Sequence, residues 1–249
     1  MHNKNIVAIV QARCGSTRFP NKVFADLSGK PLIWHVIQRL KFANTINDII
    51  LATTTNSLDD KLYKWAKNNK IKVFRGNENN VLNRFAEASK YTKADIIIRI
   101  TADDPFKDPR LIDEAVNKLI SERADFVCNN NPPTYPEGLD VEVFTKDAIL
   151  LAEKNAISDF EKEHVTQYFY HHPNEFKIIN LSNKKNQSYL RWTIDTKADL
   201  EMARKIYEHL YKNEHEIFYL EDILYLLEKK PEIATINKNI KRSAMYDNK

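Results

Sequence analysis

Apolar and polar positions in the first half of the chain follow two alternating rhythms. Residues 6–10, Ile-Val-Ala-Ile-Val, form an unbroken apolar run, too short for a helix and typical of a strand buried on both faces. The polar stretch 11–28 reads as a loop. Gly29-Lys-Pro31 then predicts a helix start with proline in its first turn. Leu32, Ile33, Val36, Ile37 and Leu40 share one face of that helix. The rhythm repeats with a strand at 48–53, a helix at 57–69 with Leu58, Leu62 and Trp65 inward, a strand at 70–74 and a helix at 81–91. A strand at 94–100 precedes a helix capped by Asp108-Pro109, with Leu111, Ile112, Ala115, Val116 and Leu119 on one side, and a strand at 125–128. This succession predicts the α/β class: a mostly parallel sheet sandwiched by helices.

The second half is less regular. Residues 132–138 hold three prolines and read as a loop, and 140–144 alternate as a strand does. Two helices are expected next, one capped by Thr145 and one by Ser158 with Glu161 completing a capping box. Strands are expected at 176–181 and 190–194, and a helix capped by Thr196 with Asp199 runs to about residue 211. The tail from residue 236 is polar and basic and is expected to be poorly ordered. No repeat or linker stands out, so residues 1–249 read as a single domain with a small inserted arm over roughly 130–190.

Composition narrows the function classes. A net charge of +4 over 249 residues is not the footprint of a dedicated nucleic-acid binder. Nothing approaches the roughly 20 apolar residues that span a bilayer, and the first apolar run is too short for a secretory signal. Cys14 and Cys128 are too few for a disulfide framework or a Cys-rich zinc site. A cytoplasmic enzyme without nucleic-acid or membrane partners is the expectation.

Four stretches carry chemistry. The loop Gln11-Ala-Arg-Cys-Gly-Ser-Thr-Arg-Phe-Pro-Asn-Lys22 follows the first strand, where open α/β sheets bind ligands. Its Arg13, Arg18 and Lys22, with Gly15 and Ser16, suit a triphosphate held by backbone N–H groups and cations; a solvated basic loop is the alternative. The chain has only four glycines, Gly15, Gly29, Gly76 and Gly138, and Gly15 is the first candidate for close ligand approach. Asp103-Asp104-Pro105 ends the strand at 94–100. Carboxylates there can hold Mg²⁺ in front of a phosphate, or simply cap a turn. Asp195 flanks the Thr196 cap and is a candidate second ligand. Asp140 and Glu142 lie two apart on a predicted strand and so face one side, toward sugar hydroxyls or toward solvent. His164 and His171, on or near one helix with His172, do not have a metal spacing. No P-loop, Gly-x-Gly-x-x-Gly fingerprint or nucleophile elbow is present.

With these residues in place the chain resembles the SpsF-like proteins of spore-coat polysaccharide synthesis, grouped with the CMP-Kdo and CMP-sialic acid synthetases. The resemblance is carried by Ile9-Val-Gln-Ala-Arg-Cys-Gly-Ser-Thr-Arg-Phe-Pro-Asn-Lys-Val23, Arg99-Ile-Thr-Ala-Asp-Asp-Pro105, Tyr135-Pro-Glu-Gly-Leu-Asp-Val-Glu-Val-Phe144, Glu163-His-Val-Thr-Gln-Tyr168 and Leu190-Arg-Trp-Thr-Ile-Asp-Thr196. It implies a GT-A-like nucleotide-diphospho-sugar transferase fold whose inserted arm serves dimerisation or substrate, a homodimer, and Mg²⁺-dependent coupling of CTP (or another NTP) to a sugar-like acceptor with release of pyrophosphate. By motif, Ala12, Arg13, Gly15, Ser16, Arg18 and Lys22 bind the triphosphate, with Lys22, Arg13 and Arg18 catalytic. Arg75, Asn77 and Arg84 lie where relatives approach base and ribose, and Thr101 stands where some carry a base-contacting glutamine. Asp103 and Asp195 match the Mg²⁺ ligands. Tyr135, Asp140, Glu142, His164 and Arg191 are candidates for the acceptor. A glycosyltransferase on the same fold and a non-catalytic nucleotide-binding module are the alternatives.

Overall fold

The computed structural model describes residues 4–16 and 18–240. Its strands are β1 (Ile6–Gln11), β2 (Asp26–Leu27), β3 (Lys30–Pro31), β4 (Asp48–Thr54), β5 (Lys72–Gly76), β6 (Ile96–Thr101), β7 (Phe126–Cys128), β8 (Glu142–Thr145) and β9 (Ile178–Asn180). Its helices are α1 (Leu32–Leu40), α2 (Asp60–Asn68), α3 (Val81–Thr92), α4 (Pro109–Glu122), α5 (Lys146–Asn155), α6 (Asp159–Glu163), α7 (Gln167–His171), α8 (Lys197–Leu210), α9 (Leu220–Lys229) and α10 (Pro231–Thr235). The main sheet has seven strands in the order β5-β4-β1-β6-β8-β7-β9. All its pairings are parallel except those of β8, which runs antiparallel between β6 and β7. The mostly parallel α/β sheet expected from the sequence is present.

The apolar run at 6–10 is explained by two cores, one on each face of the sheet. Val7 and Ile9 of β1 join Ile50, Ala52 and Ile97 in a core covered by Leu82 and Phe85 of α3 and Ile149 of α5. Ala8 and Val10 point the other way, with Ile98 and Ile100, into a core covered by Ile33 and Val36 of α1, Ile112 and Val116 of α4 and Ile206 of α8. Every residue of β1 from Val7 to Val10 is fully buried, so polar alternation has no place there.

Several local expectations are corrected. Leu58 is 64% exposed: residues 57–59 form a 3₁₀ turn capped by Asn56, and α2 starts only at Asp60. Pro31 pairs with Asp26 across the β2–β3 hairpin and caps α1 rather than entering its first turn. The stretch 11–28 contains the first strand of this hairpin and a 3₁₀ turn at Lys22–Phe24. Ser158 caps α6 through Glu161 N, and the Glu161 carboxylate also lies 3.0 Å from His171 Nδ1. His164 and His171 belong to no common helix, because the chain breaks at Val165 (φ 37°) between α6 and α7.

The stretch 190–194 is not a strand of the sheet. Its apolar alternation arises because Trp192 and Ile194 are inserted into the core, while its backbone pairs with the loop at 135–138 through a single Glu137–Arg191 bridge. Helices α9 and α10 were not anticipated. Leu220, Ile223, Leu226 and Leu227 of α9 pack beside α8 in the core. The tail expectation falls, from residue 241 on, outside the described residues.

Candidate active site

β1 and β6 lie side by side and end level, Gln11 opposite Thr101. The segments leaving them therefore rise together at the carboxyl edge of the sheet, where an open α/β sheet presents its ligand crevice. A cavity of about 360 Å³ opens there.

The loop after β1 is shaped by backbone bonds. Cys14 N donates to Asp59 Oδ1 at 2.7 Å, and Asn21 N closes the loop on Cys14 O at 3.0 Å. Asn21 takes the left-handed conformation this closure needs (φ 59°). Asp59 is itself buried and also accepts from Thr54 Oγ1. Ala12, Arg13, Ser16, Arg18 and Lys22 of this loop all line the cavity; Gly15 does not figure among the lining residues, and no described atom outside its neighbours would lie within 4 Å of a Cβ there. The glycine the backbone demands is Gly138, at φ +101°, where a Cβ would meet Thr193 N at 2.7 Å.

At the centre, Lys22 Nζ donates to Asp103 Oδ2 at 2.6 Å and to Asp195 Oδ1 at 2.7 Å. Burial works to lower the Lys22 pKa, but Asp103 and Asp195 outweigh it and hold the ammonium above its ordinary range. Asp195 Oδ2 also faces Arg18 at 3.2 Å and Arg191 at 2.8 Å. Burial alone would raise the Asp195 pKa, and Lys22, Arg191 and Arg18 together pull it below the usual carboxylate range. Asp104 turns elsewhere, accepting from Thr101 Oγ1 at 2.6 Å and pairing with buried Lys107 at 2.9 Å; burial raises its pKa despite Lys107.

The two oxygens gathered on one ammonium, Asp103 Oδ2 and Asp195 Oδ1, are hard donors that can face one cation. That fits Mg²⁺, which takes one or two carboxylates and completes its shell with phosphate and water. Among the described residues no group of three His, Cys, Asp or Glu side chains forms a metal cage.

Cations and carboxylates are interleaved in the cavity wall. Arg13, Arg18, Lys22, Arg84, Arg99 and Lys107 line it together with Asp103, Asp104, Glu137, Asp140, Glu142, Glu163 and Asp195. Arg84 is 2% exposed, reaches Asn77 O with Nη1 and leaves Nε without a partner; burial, with Arg13 nearby, lowers its pKa to about 10. Gly76 makes room for its stem, since a Cβ there would stand 3.0 Å from Arg84 Cγ. Glu142 is buried against Arg99 and accepts from Thr166 Oγ1 at 2.8 Å. His164 lines the cavity half-buried, its ring edge-on to Phe160, and burial lowers its pKa.

Thr101, Asp140, Glu142 and His164 thus meet the basic loop and the Asp103–Asp195 pair in one cavity. Besides Gly15, four anticipated residues do not line it. Arg75 is tied to Thr54 O, Asn56 O and Asp60. Asn77 accepts from Asn79 N and Asn80 N in a turn. Tyr135 is packed in the core. Arg191 lies behind Asp195, paired with Glu137 and Asp199 at 2.8 and 3.1 Å, and these carboxylates outweigh burial to raise its pKa. Gln11, Arg99, Asn130 and Glu163 line the cavity without having been singled out. The signal for Arg99 was legible, as a charge inside the apolar strand Ile-Ile-Ile-Arg-Ile.

Comparison with known proteins gives the family. Residues 7–230 match the family model described as cytidylyltransferase. The chain is 36% identical to an uncharacterized protein of Methanocaldococcus jannaschii, over 96% of this chain and 97% of that one. It is 30% identical to the spore coat polysaccharide biosynthesis protein SpsF of Bacillus subtilis, over 93% and 97% of the two chains. The solved structure of a cytidylyltransferase from Leptospira borgpetersenii serovar Hardjo-bovis superposes with a TM-score of 0.88 at 29% identity, covering 93% of this chain and 97% of that one.

Proposed function

Because this chain belongs to the cytidylyltransferase family and is a nucleotidyltransferase, we propose that it joins the CMP part of CTP to a small sugar-like acceptor, releasing pyrophosphate, in the synthesis of a surface polysaccharide. The observation that carries this reading is the single cavity in which Arg13, Arg18 and Lys22 meet Asp103 and Asp195. The kinship with SpsF, a spore coat polysaccharide biosynthesis protein, supports the pathway.

In this reading the acceptor oxygen attacks the α-phosphorus in line as the bond to the pyrophosphate oxygen breaks. No covalent nucleophile is needed; the protein works by positioning and by stabilising charge. Arg13, Arg18, Lys22 and Ser16 grip the triphosphate, and Arg84 sits where it can meet the nucleoside. Asp103 and Asp195 would hold Mg²⁺, which supplies charge neutralisation on the phosphates. Asp140 and Glu142, with Glu163 and His164, present acceptors and a ring nitrogen suited to sugar hydroxyls.

Pyrophosphate release in the presence of Mg²⁺, with CTP, UTP, GTP and ATP each offered against a panel of sugar acids and sugar phosphates, tests the reading. Release that requires CTP and one acceptor is expected. Release with another nucleotide alone would refute the base, and transfer from a nucleotide-sugar without pyrophosphate release would refute the reaction.

A further inference from the structure

The carboxylates proposed to hold the divalent ion are bridged by a cation of the chain itself. Lys22 Nζ spans Asp103 and Asp195 at 2.6 and 2.7 Å, and only 12% of its side chain is exposed. Mg²⁺ binds carboxylate oxygens at about 2.0–2.1 Å in a strict octahedron, so an ion on these two oxygens takes the place of the ammonium. The second oxygen of Asp195 is engaged by Arg18 and Arg191, at 3.2 and 2.8 Å. No carboxylate in this group waits uncompensated for a metal.

We infer that Lys22 is the resident counter-ion of the Asp103–Asp195 pair in the nucleotide-free protein and competes directly with the divalent ion, which therefore enters together with the nucleotide. The inference rests on the function proposed above. A buried ammonium cannot be stripped of its anions without a large cost. It can leave the pair only toward new negative charge, and Arg13, Ser16 and Arg18 around it mark where a triphosphate would bring that charge.

The backbone allows the exchange. Lys22 opens a 3₁₀ turn fixed by Phe24 N on Asn21 O at 2.9 Å and by the Asn21–Cys14 closure. The flexible four-carbon stem can swing while the turn stays. Nucleotide and metal then bind with mutual support: each relieves the obstacle the other meets, and by linkage each tightens the other equally.

Mn²⁺ is the probe, its free concentration read by electron paramagnetic resonance, with and without a CTP analogue whose α,β bridge is a methylene group. Wild type is expected to bind Mn²⁺ weakly alone and tightly with the analogue. Lys22→Met is expected to bind Mn²⁺ without nucleotide at least about tenfold tighter than wild type, within the range that neighbours of a metal site command. Asp103→Asn in that background should abolish the gain, locating it at the pair. Lys22→Arg keeps the charge and should bind Mn²⁺ as weakly as wild type, an expectation that stands even if Lys22→Met fails to fold. Equal affinity of wild type and Lys22→Met without nucleotide, or tight binding by Lys22→Arg, overturns the competition while the proposed function stands. Absence of Mn²⁺ binding by wild type even with the analogue overturns the metal role and the competition with it.

Discussion

Replacing Asp199 by asparagine should weaken both the fold and the site. Asp199 is wholly buried at the start of α8. Its Oδ2 accepts from Asp195 N at 3.1 Å, Thr196 N at 2.9 Å and Thr196 Oγ1 at 2.9 Å. Its Oδ1 accepts from Arg191 Nε at 3.1 Å and Asn237 Nδ2 at 2.9 Å. Donors surround both oxygens, so whichever way the asparagine amide turns, its NH₂ faces a donor. Removing one partner of a buried ion pair costs about 3–5 kcal/mol. Arg191 keeps Glu137 and Asp195, which sets the expected loss at the low end, about 3 kcal/mol. In a chain of this size that lowers Tm by about 6–12 °C, at roughly 2–4 °C per kcal/mol. Thermal and urea unfolding of the variant measure it. The same change releases the backbone of Asp195, so turnover in the pyrophosphate assay should fall about tenfold or more. A variant melting within about 2 °C of wild type would refute the view that Asp199 holds this corner together.

The Lys22→Ala protein should keep its fold, by circular dichroism, and lose about 100-fold or more in kcat, as removal of an oxyanion donor does; near-normal turnover would sink the role. Gly138→Ala should cost at least about 2 kcal/mol in urea unfolding, from positive φ and backbone collision together, whereas Gly15→Ala should change stability by no more than about 0.5 kcal/mol; the reverse order would contradict the backbone geometry. His35 is buried, its Nε2 2.6 Å from Leu27 O, and burial, against that carbonyl, lowers its pKa to about 4. Between the ordinary value of 6.5 and about 4 the unfolded chain binds a proton that the native one refuses, so this group's stabilisation is present at neutral pH and falls by roughly 3 kcal/mol as pH drops through that window. A His35 imidazole resonance that titrates above pH 6 in the folded protein would contradict this.

Much of the fold could be read from the sequence because β1, β4 and β6 are buried on both faces and their helices carry one apolar stripe each. The expectation failed where tertiary packing imitates a local pattern. Trp192 and Ile194 alternate with Arg191 and Thr193 because they plug the core beside a loop, and periodicity alone cannot separate that from a sheet strand. Leu58 fell in step with Leu62 and Trp65, but the 3₁₀ turn beneath it lifts it into solvent. The site divides in the same way. The basic loop and the aspartates were legible because charged residues clustered at strand ends. Asp59 was not, because its work is done on Cys14 N, 45 residues earlier in the chain. Arg75 and Arg191 were legible as cations but not as cations already spoken for by Asp60, Glu137 and Asp199.

The position of β8 has a consequence for synthesis on the ribosome. β6 is complete at residue 101, but the strand that covers its outer edge begins only at Glu142. Until then Ile96, Ile97 and Ile98 present an apolar strand with open N–H and C=O groups on that side. β7 emerges first, yet it joins the sheet only through β8. A growing chain therefore carries a sticky edge across some forty residues of further elongation, the kind of edge that pairs with neighbouring chains. Fragments ending before residue 142 should aggregate, and those that include β8 and α5, which bring Phe144 and Ile149 to the second core, should be more soluble.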